Sequence, residues 1–151
     1  MLLQRSESGW LGSNEVSPQL RKAAGLRHVT SHVYPYEKPA EFHAQCRAGH
    51  TEDAIPSIPY IGSGWNPRPW GDPRPAFQLP DRQQWKAALE TVKTDLGSGK
   101  FGLPLSDRRL QPAVTIYCWN EFGEGGMVAP TQGDRYMKLE VIREVFGTAA
   151  Q

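Results

Sequence analysis

The chain has 151 residues, the size of one ordinary domain, and its net charge of +1 supplies no general attraction for phosphate backbones or anionic lipid; nucleic acid and membrane are not expected partners. No run approaches the roughly 20 apolar residues of a membrane span, and Gln4-Arg5-Ser6-Glu7 follows Met1-Leu2-Leu3 too soon for a signal peptide, so the expected compartment is the cytoplasm if Met1 is the true start. With 15 glycines and 13 prolines but also 5 tryptophans, the composition describes a globular chain with long, stiff loops rather than a disordered one.

Residues 1–24 read as an N-terminal segment with a short helix over 18–24, capped by Ser17 and closed by Gly25. The β-branched stretch 27–34 predicts a strand whose exit is marked by Pro35 and Pro39, and a helix follows over 40–48. A second strand is expected over 54–61, although Pro56 and Pro59 weaken its pairing. Residues 62–80 read as a loop that carries five prolines with Trp65, Asn66, Arg68, Trp70 and Arg74, long for a mere connection. Asp81 then caps a helix through Leu96, on which Trp85, Ala88, Leu89, Val92 and Leu96 recur at helical spacing. The third strand, 113–119, is apolar enough to be buried on both faces, and a last helix over 134–146 carries Tyr136, Leu139, Ile142, Val145 and Phe146 on its apolar face. Alternating strands and helices make the fold class α/β, a parallel βαβαβα unit with functional residues just beyond strand C-termini. The two cysteines, Cys46 and Cys118, do not suggest a disulfide scaffold, and Cys118 reads as a small buried hydrophobe.

Directly beyond the third strand, Glu121 and Glu124 stand three positions apart in Trp119-Asn120-Glu121-Phe122-Gly123-Glu124-Gly125-Gly126. On a straight strand two such residues face opposite ways, so both reach one substrate only if the backbone bends, which the glycines permit. Paired carboxylates can divide acid and base work in glycoside cleavage, and Asn120 could orient a hydroxyl beside them. Trp65 and Trp70 suit the apolar face of a pyranose, and Arg68 and Arg74 suit its hydroxyl pairs or carboxylates. The plainer reading makes the glutamates solvated loop charges, one paired with Arg135 or Lys138, and the tryptophans loop packing.

The segment from Thr115 to Gly126, with Ala129-Pro130-Thr131 and Tyr136 to Ile142, resembles the C-terminal end of endo-mannosidase-like glycoside hydrolases (family 99) and the WbsX-like proteins grouped with them. Gly62-Ser63-Gly64-Trp65-Asn66-Pro67-Arg68 resembles a tryptophan-containing segment of the same proteins. The resemblance implies that residues 25–151 are the C-terminal part of a (β/α)8 TIM-type barrel, a fragment of a longer domain, with Glu124 as general acid/base of a retaining hydrolase. Glu121 would be its partner carboxylate, acting on the sugar 2-hydroxyl. Tyr34, Trp65, Asn66, Arg68, Trp70, Trp119 and Asn120 would bind a carbohydrate substrate, an oligo- or polysaccharide. Phe122-Gly123 and Ala129 depart from the mannosidase pattern, so the sugar is left open.

No cofactor or metal is expected. His43, Cys46 and His50 fall at i, i+3 and i+7 on a helix, and His28 and His32 share one face of a strand, but the set matches no standard zinc spacing, and the 123–126 glycines lack the lysine of a phosphate loop. The alternative to an enzyme is a non-catalytic carbohydrate-binding or polysaccharide-assembly module. In either case three parallel strands leave open sheet edges, for which the expected partner is the missing N-terminal part of the barrel or a second copy.

Overall fold

The computed structural model describes residues 33–50, 56–67 and 74–147. The helix expected over 18–24, most of the first strand, His28, His32, Arg68 and Trp70 lie outside the described residues.

β1 (Val33–Tyr34) ends at Pro35, and α1 (Glu37–Gly49) starts earlier than expected. Pro39 therefore belongs to the first turn of the helix rather than to the loop before it. A proline is tolerated there because first-turn amides have no partner inside the helix. β2 (Tyr60–Gly62) begins only after Pro59, which has no amide hydrogen to give a ladder, so the expected 54–61 strand is shorter and later.

β3 (Ala76–Phe77) interrupts the segment read as pure loop. Both of its residues are buried, and its parallel pairing with β1 joins Val33 to Ala76 and Tyr34 to Phe77. α2 (Arg82–Gly97) has the expected cap: the Asp81 carboxylate accepts from the Gln84 amide at 2.8 Å while the Gln84 side chain accepts from the Asp81 amide at 2.9 Å. An unanticipated hairpin of β4 (Leu103–Pro104) and β5 (Leu110–Gln111) follows.

β6 (Thr115–Tyr117) is shorter than the expected 113–119 and is not buried on both faces, since Thr115 is exposed and Ile116 and Tyr117 are half-buried. Among the described residues it has one strand neighbour, β2, in parallel register from Tyr60–Thr115 to Gly62–Tyr117. β7 (Asn120–Glu121), a 3-10 turn (Phe122–Glu124) and β8 (Gly126–Met127) form a tight antiparallel return. α3 (Met137–Phe146) closes the described chain.

The strands thus lie in four two-stranded ladders, and among the described residues they form neither one continuous sheet nor a closed barrel. The helices supply the core. Trp85, Leu89 and Val92 of α2 meet Val141 and Val145 of α3, with Tyr36, Ile61 and Val128 completing the cluster. The Trp85 indole donates to the Lys138 carbonyl at 3.2 Å, and its ring meets Tyr36 edge-on at 6.5 Å, so this large side chain is both packed and hydrogen-bonded.

The most buried residues of α3 are Lys138, Val141 and Val145, with the expected Leu139, Ile142 and Phe146 partly buried against the same core, while Tyr136 precedes the helix and is 62% exposed. The lysine is the unexpected member: its ammonium donates to the Met127 carbonyl at 2.7 Å, and Asp134 lies 3.7 Å away. Burial lowers the Lys138 pKa, against the opposing pull of Asp134. Arg47 is a second buried cation, 6% exposed, held by Asp95 at 2.5 Å. No described helix is long and apolar enough to cross a membrane.

Candidate carbohydrate site

Parallel pairing of β2 with β6 puts the chain segments that leave both strands at one edge. Ser63, just after β2, donates its amide to the Tyr117 carbonyl at 2.7 Å, and the Asn66 amide donates to the Glu124 carbonyl. The two segments approach because three glycines leave room. A Cβ on Gly64 would lie 3.3 Å from the Gly125 carbonyl oxygen as well as 2.6 Å from Leu79 Cδ2, one on Gly125 would lie 3.2 Å from the Asn66 amide, and one on Gly126 would lie 2.6 Å from the Tyr117 ring. Gly64 and Gly125 also take positive φ, at 116° and 66°.

The approach brings Trp65 to Glu124 across 59 residues of chain, the indole N–H donating to Oε2 at 3.3 Å. The Tyr117 phenol donates to the same oxygen at 2.6 Å. Partial burial, then the hydrogen bond to Glu124 and the charges of Glu124, Cys118 and Glu121, hold the Tyr117 phenol well above its ordinary pKa. Both glutamates therefore act electrostatically on one phenol. The bend between them is the 3-10 turn, which replaces the straight strand on which they would face apart.

Among the described residues neither glutamate has an ion pair: Arg135 pairs with neither, and Lys138 is committed to Met127 and Asp134. The expected pairing of one of them with Arg135 or Lys138 is corrected accordingly, because the lysine is buried beneath the hairpin instead; Glu121 remains an exposed hairpin charge.

Of the residues proposed for binding, Trp65 and Asn66 meet Glu124 directly. Tyr34 is linked through Phe77, whose ring lies 5.9 Å from Tyr34 and 6.4 Å from Trp65. Arg74 caps the Trp65 ring, its guanidinium carbon 4.7 Å from the centroid, so one face of that indole is already covered. Trp119, Asn120 and Glu121 stand exposed on the hairpin.

Cys118 is half-buried and polar in its contacts, its thiol donating to the Gly126 carbonyl at 2.8 Å and its sulfur accepting from the Glu121 amide at 3.3 Å. It pins the hairpin that carries the glutamates, a role its reading as a small hydrophobe missed. Tyr117 was missed too, and its one sequence signal is its place as the last residue of a strand in a parallel α/β pattern, where such folds put functional side chains.

No three histidine, cysteine, aspartate or glutamate side chains gather among the described residues in an arrangement able to hold a metal ion. His43 instead meets Tyr60 edge-on at 4.8 Å, and burial, helped by Arg47, lowers its pKa to about 4. Compared with models of known families, with curated proteins and with solved structures, the chain finds no match.

Proposed function

We propose that this chain carries the carboxylate-bearing edge of a glycoside hydrolase-type site, on the C-terminal part of a (β/α)8 barrel, acting on an oligo- or polysaccharide. The hydrogen bond from Trp65 to Glu124 carries the reading: an aromatic residue and a carboxylate meet at the ends of two parallel neighbouring strands. In such a site Glu124 gives a proton to the leaving glycosidic oxygen and takes one back from the incoming hydroxyl. Glu121 is the second carboxylate, presented at the solvent side of the turn. The remaining strands of the barrel, or a second copy of the chain, would supply the rest of the groove.

The test is turnover of a glycoside panel by the protein and its Glu124→Gln and Glu121→Gln variants. Glu124→Gln is expected to lose about 10²- to 10⁴-fold, most on poor leaving groups. Glu121→Gln is expected to depress activated substrates as well, and unchanged rates in both variants would remove the assignment. A second reading, a binding module without turnover, is favoured by the exposure of Trp119, 59%, which suits a shallow platform. Sugar binding retained with no hydrolysis would select it.

A further inference from the structure

Resting on that reading, we infer that Tyr117 is a positioning residue for Glu124: with Trp65 it occupies Oε2, so that the proton exchanged with the ligand is carried on Oε1. Oε2 takes the phenol at 2.6 Å and the indole at 3.3 Å, whereas Oε1 has no hydrogen-bond partner among the described residues. A carboxyl group protonated on Oε1 keeps Oε2 as a carbonyl-like acceptor, and the ionised group accepts there equally well. Both donors therefore stay in place whether Glu124 holds its proton or has released it, and the group changes state without rotating.

The arrangement is braced from three sides. The Glu124 carbonyl accepts from the Asn66 amide, which holds the backbone of the turn. Gly126 leaves the space the Tyr117 ring fills, and Phe77 flanks the indole. A carboxylate on a three-residue turn at the protein surface would otherwise sample several rotamers, and holding one of them is worth rate rather than affinity. The proton balance is simple. The O–H bond at Oε1 breaks as the leaving oxygen gains the hydrogen, and Oε1 regains one from the attacking hydroxyl. Tyr117 and Trp65 keep their own protons throughout.

The test compares the full chain with Tyr117→Phe, which keeps the ring and removes the hydroxyl. The expected result is a fall in kcat of about 10- to 100-fold, as for loss of one hydrogen bond to a charged group, with KM within about 2-fold. The Glu124 side-chain carboxyl resonance, labelled with ¹³C and assigned through Glu124→Gln, should also move. Trp65→Phe, which removes the longer bond, should move both readouts in the same direction by less, and it serves if Tyr117→Phe fails to fold. A folded variant with an unmoved carboxyl resonance, or an equal rise in KM replacing the fall in kcat, would overturn the inference. If the unmodified chain turns over no glycoside, the enzyme reading fails on its own and the carboxyl resonance alone decides whether Tyr117 positions Glu124.

Discussion

Gly126→Ala tests whether the site depends on backbone space rather than on its polar groups. The added methyl would lie 2.6 Å from Tyr117 Cε1 and 3.1 Å from Cδ1, where carbon atoms prefer about 3.5–4.0 Å. The ring must retreat by about 1 Å to reach that range. A shift of this size in the ring should disturb the 2.6 Å bond from its phenol to Glu124 Oε2. Overpacking of this kind costs about 1–3 kcal/mol, which thermal or urea unfolding resolves.

The more specific readout is tyrosine ionisation followed by ultraviolet absorbance. Tyr117 is held high by its burial and its hydrogen bond to Glu124, so weakening that bond should let it ionise at lower pH. Tyr36, also raised by burial and bonded to the Gly62 carbonyl at 2.8 Å, should not move and serves as the internal reference. Tyr117→Phe identifies which transition belongs to Tyr117. An alanine variant with wild-type stability and an unaltered tyrosine titration would refute the crowding argument.

Three further outcomes are expected. Asp81→Ala removes the cap of α2 and one half of a reciprocal pair, and should cost about 1 kcal/mol in urea unfolding, whereas Asp81→Asn should cost less. Asp95→Asn strands the buried Arg47 guanidinium; since Asp95 is 30% exposed, the loss should fall below the roughly 3–5 kcal/mol of a fully buried pair, and Arg47→Met with Asp95→Asn should recover part of it. His43 makes stability depend on pH. Its folded value of about 4 lies below the ordinary 6.5, so the unfolded chain binds the proton first, and stability is full above about pH 6.5 and declines toward pH 4 by at most about 3 kcal/mol. A His43→Phe variant should flatten urea midpoints measured between those limits.

The helices were the most legible part of the chain. Spacing alone placed Trp85, Leu89 and Val92 on one face of α2 and marked Asp81 as its cap, because helical periodicity and capping are local properties. The strands were less legible. Pro59 and Pro112 mark where pairing cannot begin, but which strand pairs with which depends on contacts distant in the chain, and β3 was hidden in a proline-rich stretch because two buried residues leave no period to read. Periodicity found Leu139, Ile142, Val145 and Phe146 of α3, which pack in or against the core, but not the buried Lys138, because its burial depends on the Met127 carbonyl, which periodicity does not contain.

The two glutamates and Trp65 could be singled out from residue type and order. Their meeting could not. The Trp65 indole on Oε2, the Asn66 amide on the Glu124 carbonyl and the close approach of Gly125 to Asn66 arise only when β2 and β6 lie side by side, for these partners are set by through-space geometry and not by spacing along the chain.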